Sequence, residues 1–275
     1  MKEFKVKDHA PSLLPDGYDF ELVWSDEFDG DTIDQSKWDY RLCMMGKRHP
    51  AWTDKGVRVE NGCAVFSIFE EDGRIVSSQL QTGYNFMDEP VKPTTFGKEH
   101  IQWPIGKLKE SKFTHSYGYY ECRCRLQKRA GWWSAFWIQS PNIGSTLDPK
   151  RSGTEVDIME SFYPGEIHTH NVFTGGYGQD MQRIHVGGME VEVNDEFHTF
   201  GLLWTEDEYV FYVDGKEDGR VDKNVSAVPQ FILITTEAKG YRKENHTPTE
   251  EAKTAAALGD DFLVDYVRVF DIKEN

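Results

Sequence analysis

Apolar residues recur at every second position in short runs along most of this chain, as in Phe20-Leu22-Trp24, Val57-Val59, Ala64-Phe66-Ile68 and Tyr117-Tyr119. A β-strand turns successive side chains to opposite faces, so a period of two specifies strands with one face in a core. The runs are separated by Asp29-Gly30-Asp31, Glu60-Asn61-Gly62, Asp72-Gly73 and Asp214-Gly215, residue types that suit the tight turns of antiparallel hairpins. An all-β sandwich of two antiparallel sheets follows. Only residues 247–258 read as a helix, with Thr247 or Thr249 available as a cap, acidic residues in the first turn and abundant Ala.

No internal repeat, low-complexity linker or break in composition divides the 275 residues, so 1–275 is expected to be a single domain and a monomer. The 8 Trp, 12 Tyr and 17 Phe supply a core and an aromatic surface besides. A net charge of −16 disfavours nonspecific binding to nucleic acid or an anionic membrane, whose phosphates attract basic patches. No apolar run approaches the roughly 20 residues of a membrane span. The first residues, MKEFKVKDHAPSLLP, lack the apolar middle of a secretion signal. The chain is therefore expected to be cytoplasmic if native in full, or extracellular if a signal has been removed. Cys43, Cys63, Cys122 and Cys124 are expected as free thiols, since a bridge between the close pair would be strained on one strand face. Zinc is the alternative for them, and neither a CxxC nor a paired-histidine spacing supports it.

The most informative segment is Thr154-Glu155-Val156-Asp157-Ile158-Met159-Glu160-Ser161. Alternation sets Glu155 and Asp157 on one face and Val156 and Ile158 on the other. Continued strictly, it would turn Glu160 into the apolar layer, where an unpaired charge costs several kcal/mol. One extra residue near Met159, a β-bulge, restores the face and lines up three acids. Like charges side by side on a strand are destabilising, so function explains them better than stability does. Retaining glycoside hydrolysis needs such a set: one carboxylate attacks the anomeric carbon, a second delivers a proton, and a third can hold their pKa values apart. A solvated acidic face or a calcium site would use the same residues.

EVDIME at 155–160 resembles the ExDxxE signature of glycoside hydrolase family 16. LVWSDEFDG at 22–30, VENG at 59–62, YGYYECRCRL at 117–126, GWWSAFW at 131–137, FHTFGLLWT at 197–205, VFYVDGK at 210–216 and VDYVRVF at 264–270 resemble further family segments in the same order. The resemblance implies a β-jelly-roll of the concanavalin A-like kind, and Glu155 as nucleophile, Asp157 as assisting acid and Glu160 as general acid/base. The spacing resembles the laminarinase-like and β-galactanase branches and departs from the shorter ExDxE of lichenases.

By alternation Trp133 and Trp137 share one face and Trp132 and Phe136 the other, so one pair should floor a sugar cleft and the other should be core. The resemblance assigns Trp137 to the subsite beside the nucleophile and makes Trp133 a second contact. Trp103 and Trp52 fall in expected loops, as candidate cleft walls. Of the histidines following the acid strand, His170 is the one with a family counterpart near the leaving group. The long stretches 84–116, 144–153 and 239–259 are expected as loops, the length of the first marking it as functional. The family further implies one structural calcium held near Glu27, Gly62 and Asp265, through backbone oxygens and the Asp265 carboxylate, and no other cofactor. The expected partner is a polysaccharide or oligosaccharide, foremost a β-1,3-glucan of the laminarin type. A β-galactan of the agar, porphyran or carrageenan type is the competing substrate, and a noncatalytic glucan-binding lectin the competing class.

Overall fold

The computed structural model describes residues 1–89, 106–162, 168–175, 182–188, 196–241 and 247–273, and the backbone alone of Thr95–Lys98 and Ile101–Pro104. Two antiparallel sheets dominate. The first has seven strands in the order Gln182–Gly187, Thr169–Thr174, Glu155–Ser161, Trp132–Gln139, Phe231–Ala238, Gln79–Gln81, Asp39–Tyr40. The second runs Lys216–Val221, Tyr209–Val213, His198–Trp204, Gly118–Arg125, Asp261–Ile272, Cys63–Ser67, Val57–Glu60, with Phe20–Asp26 also paired to Asp261–Ile272. The sandwich expected from the alternation is present.

Between the sheets lies one large apolar cluster. Trp132, Phe136, Val156, Ile158, Met159 and Ile234 enter it from the first sheet, and Cys122, Cys124, Phe200, Trp204, Phe211, Val267 and Val269 from the second. Trp38 and Trp204 are fully buried, and Trp24 packs against the cluster. Cys122 and Cys124 behave as small hydrophobes, and all four cysteines are free thiols.

Three expected turns form two-residue hairpin loops. Asn61-Gly62, Asp72-Gly73 and Asp214-Gly215 take positive φ at both residues, closing the pairs Glu60↔Cys63, Glu71↔Arg74 and Val213↔Lys216. Asp29-Gly30-Asp31 makes no such hairpin: the strand before it ends at Asp26 and the next begins at Asp39. The expected helix is Glu250–Leu258, capped by the Thr249 side chain accepting from the Ala252 N–H. A short turn of helix at Pro149–Ser152 lies inside a stretch expected to be loop, with Pro at its start and Asp148 as its cap. Within 84–116 the backbone of Thr95–Lys98 pairs with Ile101–Pro104 as a hairpin, so Trp103 stands on a strand. Its other described residues, 84–89 and 106–116, are irregular backbone, anchored to the first sheet where the Phe113 N–H donates to the Thr82 carbonyl.

Candidate active site

The acid strand carries the bulge that its sequence requires. Against the neighbouring strand the register runs Gln139↔Glu155, Ile138↔Val156, Trp137↔Asp157 and then skips to Phe136↔Met159 and Ala135↔Glu160. Ile158 is the extra residue. Both it and Met159 enter the apolar cluster fully buried, and Glu160 returns to the face of Glu155 and Asp157. Two successive side chains thus share the inner side at the cost of one irregular pairing, far less than burying a lone carboxylate there.

Each acid has its own environment on the outer face. Gln139, directly opposite Glu155, donates from Nε2 to Glu155 Oε2 at 2.6 Å. Asp157 is buried opposite the Trp137 indole and hydrogen-bonds with Glu160, a carboxyl pair that requires one proton between them. Glu160 accepts from Asn171 Nδ2 at 2.7 Å. Arg183 donates from Nε to Asn171 Oδ1 at 2.8 Å, and His185 lies 3.3 Å from the same oxygen. Burial, followed by the Glu155 charge, pushes the Glu160 carboxyl up to about 7, against the opposing pull of Asn171, Asp157 and Arg183. The strand therefore presents an ionisable carboxylate supported by an amide and, on the same face, a carboxylic acid that holds its proton to near-neutral pH.

Of the expected pair, Trp137 lies on the acids' face, directly opposite Asp157. It packs with Ala135, Phe231 and Leu233 on the outer face and donates its Nε1–H to Thr235 Oγ1 at 3.0 Å, which fixes the ring. Trp133 is half-buried beside it, flanked by Phe162 and by Tyr241 at ring distances of 5.0 and 5.5 Å. Trp132 and Phe136 are fully buried in the core. Arg41 joins this group without any sign in its own segment. Its guanidinium lies 5.4 Å from the Trp137 ring and 5.0 Å from the Trp52 ring, and pairs with Asp88 at 2.6 Å.

Several expected residues stand elsewhere. Trp52 is only 2 % exposed, stacked on His49 at 4.3 Å and packed with Ala51 and Tyr241. Its backbone bridges to Ser77, which draws the loop inward, so Trp52 backs the cleft instead of walling it. The Trp103 side chain lies outside the described residues. His170 is fully buried and faces the other way: its Nδ1 is 2.6 Å from the Ile158 carbonyl and its ring stacks on Phe211 of the second sheet. Its neighbour Asn171, one residue on and therefore on the opposite face, is the residue that reaches the acids. The signal for Asn171, Arg183 and Gln139 lies only in cross-strand register, which no single segment reveals.

The calcium set fits poorly. The Asp265 carboxylate accepts from Arg123 Nη1 at 2.6 Å, and the Glu27 carboxylate is held by Arg268 through contacts of 3.0 and 2.7 Å. Gly62 occupies the tight hairpin turn after Asn61. A guanidinium seated on the one side-chain oxygen expected to bind the ion supplies the positive charge that a calcium would bring, and no step is built on calcium.

A family model described as the GH16 domain of β-porphyranases A–D matches residues 21–272. Glucan endo-1,3-beta-glucosidase A1 of Niallia circulans is 25% identical over 90% of this chain, which spans 37% of that protein's length. Beta-glucanase of Rhodothermus marinus is 28% identical, covering 91% of this chain and 85% of the relative. The catalytic domain of an endo-1,3-beta-glucanase from Thermotoga petrophila superposes with a TM-score of 0.65 at 24% identity, over 94% of this chain and all of that one, a likeness of fold. With the ordered motifs, the jelly-roll sandwich and a match over nearly the whole chain, the protein belongs to glycoside hydrolase family 16.

Proposed function

We propose that the protein is a retaining endo-β-glycanase in which Glu155 is the nucleophile, Glu160 the general acid/base and Asp157 the residue that tunes both. The bulge at Ile158 carries this reading, because it brings Glu160, shifted up to about 7, onto the face of the amide-supported Glu155. Glu155 attacks the anomeric carbon while Glu160 protonates the departing oxygen. The glycosyl–enzyme ester is then hydrolysed by water that Glu160, now ionised, deprotonates. Asp157, hydrogen-bonded to Glu160, takes up part of the change as the proton leaves and returns. Trp137 and Trp133 offer indole faces to the C–H faces of the sugars on either side of the nucleophile.

A neutral β-1,3-glucan is the leading substrate. Relatives named as β-1,3-glucanases align over about nine-tenths of the chain. The guanidinium beside the Trp137 ring is already engaged, since Arg41 pairs with Asp88. A β-galactan of the porphyran type is the second reading, favoured by the family model that matches and by the exposed Arg183 and His185 beside Glu160. A reducing-sugar assay on laminarin with Glu155→Gln and Glu160→Gln tests the catalytic assignment. Each change keeps side-chain volume and should lower kcat by several orders of magnitude with the fold intact. Near-normal turnover in either variant refutes these roles, and a competent catalyst inert on laminarin but active on porphyran selects the second substrate.

A further inference from the structure

On the inner side of the first sheet, away from the acids, His168 and His170 stand two residues apart and face the same way. Asp218 approaches them from Lys216–Val221, the edge strand of the second sheet. One ligating atom from each of the three lies within 4.8 Å of the others. His170 Nε2 is 2.9 Å from Asp218 Oδ2, and His168 Nε2 is 3.8 Å from the same oxygen. Both imidazoles are fully buried, against Phe200 and Phe211.

Proton counting leaves this cluster short of positive charge. His170 Nδ1 faces the Ile158 carbonyl at 2.6 Å, and a carbonyl only accepts, so Nδ1 carries the hydrogen. In the neutral ring Nε2 is then a lone pair, set against a carboxylate oxygen that is also an acceptor. Beside it, neither ring nitrogen of His168 has a hydrogen-bond partner among the described residues. An unmade bond at a buried polar atom is costly, and a proton on His170 would leave His168 as it is. A cation placed among the three atoms satisfies the His170 lone pair, the His168 Nε2 lone pair and the carboxylate together.

We infer that His168, His170 and Asp218 form a binding site for one divalent transition-metal ion of the zinc class, seated between the edges of the two sheets. Two imidazoles and a carboxylate are a zinc-type donor set, whereas calcium and magnesium prefer oxygen alone. Tetrahedral bonds of about 2.0–2.2 Å place ligands roughly 3.3–3.6 Å apart, a spacing bracketed by the 2.9 and 3.8 Å from Asp218 Oδ2 to the two histidine nitrogens. Metal-bound histidines characteristically donate their other N–H to a carbonyl or carboxylate, as His170 does to Ile158. Because Ile158 is the bulged residue, the ion braces the irregularity that aims Glu160, from the opposite face of the sheet and without touching the sugar cleft.

The test uses the intact protein, stripped with a chelator and titrated with Co2+ as a spectroscopic probe and then with Zn2+. Expected are one equivalent bound, visible bands of tetrahedral intensity, and a rise in Tm of about 5–10 °C at a Zn2+ concentration a hundredfold above Kd. X-ray absorption on the Zn2+-loaded wild type should show two imidazoles in the first shell at about 2.0–2.1 Å, a readout that depends on no variant folding. Asp218→Asn and His168→Gln, compared where they fold, should lose the Co2+ bands. Absence of stoichiometric binding by the wild type, a first shell without two imidazoles, or unchanged bands in a folded variant overturns the site. None of these results bears on whether Glu155 and Glu160 are catalytic.

Discussion

Asn171 donates its side-chain amide to Glu160 at 2.7 Å while its own carbonyl oxygen receives the Arg183 Nε–H at 2.8 Å. The relay favours the ionised form of Glu160, opposing the burial and the Glu155 charge that push this acid up to about 7. The proton donor is present below that value and lost above it, so kcat/KM of the wild type should fall with a basic limb near pH 7. Removing the opposing pull raises the pKa further. Asn171→Ala and Arg183→Gln should each move the basic limb to higher pH in a kcat/KM profile, and a limb that stays in place or moves down contradicts the relay.

The same shift makes a stability prediction of definite sign. An ordinary glutamate titrates near 4.5 and Glu160 near 7, so the folded state holds its proton more tightly than the unfolded chain. The penalty for an ionised Glu160 is absent below about pH 4.5, grows through the window up to about 7 and is complete above it. Glu160→Gln has no charge to bury. Thermal melts should therefore find it more stable than wild type at pH 8 by about 1–3 kcal/mol, with the difference shrinking as pH falls from about 7 to about 4.5 and levelling off below that.

Gln139 is a positioning residue for Glu155. Its amide donates a charge-assisted hydrogen bond at 2.6 Å from the directly opposing position. Gln139→Leu should lower kcat by roughly ten- to a hundredfold, the worth of about 1.5–3 kcal/mol, with KM little changed. A change confined to KM would make Gln139 a sugar contact instead.

On the second sheet Arg268 is wholly buried and serves four groups: Glu27 through two nitrogens, the Ala10 carbonyl, the Ser12 hydroxyl and the Tyr266 ring, 3.6 Å from its guanidinium carbon. Arg268→Met strands the Glu27 carboxylate and frees the N-terminal segment. Denaturant unfolding should register a loss of about 3–5 kcal/mol. A near-neutral effect would show that water or another cation replaces the guanidinium.

Substrate charge separates the two readings of the cleft. A sulfated galactan brings anions toward three carboxylates on a chain of net charge −16, and screening by salt would then govern its binding. Laminarin should be hydrolysed faster than any sulfated galactan, with little dependence on salt. Cleavage of porphyran with laminarin untouched, falling steeply as salt rises, would assign Arg183 and His185 to the bound sulfate.

The acid strand is legible in the sequence because one rule forbids the alternative: a lone carboxylate cannot sit in an apolar core, so the chain has to gain a residue between Asp157 and Glu160. The hairpin turns and the helix cap are legible for equally local reasons, in that Asn-Gly and Asp-Gly tolerate positive φ and a Thr before acidic residues caps a helix. His170 and Asn171 differ by one position, and which of them meets the acids depends on how their strand registers against another. That information sits in no single segment. Expecting Trp52 in a cleft wall equates a loop with exposure, whereas its backbone bridge to Ser77 pulls the indole beneath Tyr241. Asp265 looks like a free calcium ligand along the chain, and the partner that occupies it, Arg123, is distant in sequence and adjacent only across the sheet.

The central claim is that Glu155 and Glu160, held on one strand face by the bulge at Ile158, carry out a double displacement. Proton NMR of the reducing-end anomer in the first moments of hydrolysis tests it most directly, before mutarotation mixes the signals. The β anomer should appear first, since two inversions restore the starting configuration. Initial release of the α anomer would mean that water attacks directly, and that Glu155 does not form the covalent bond assigned to it.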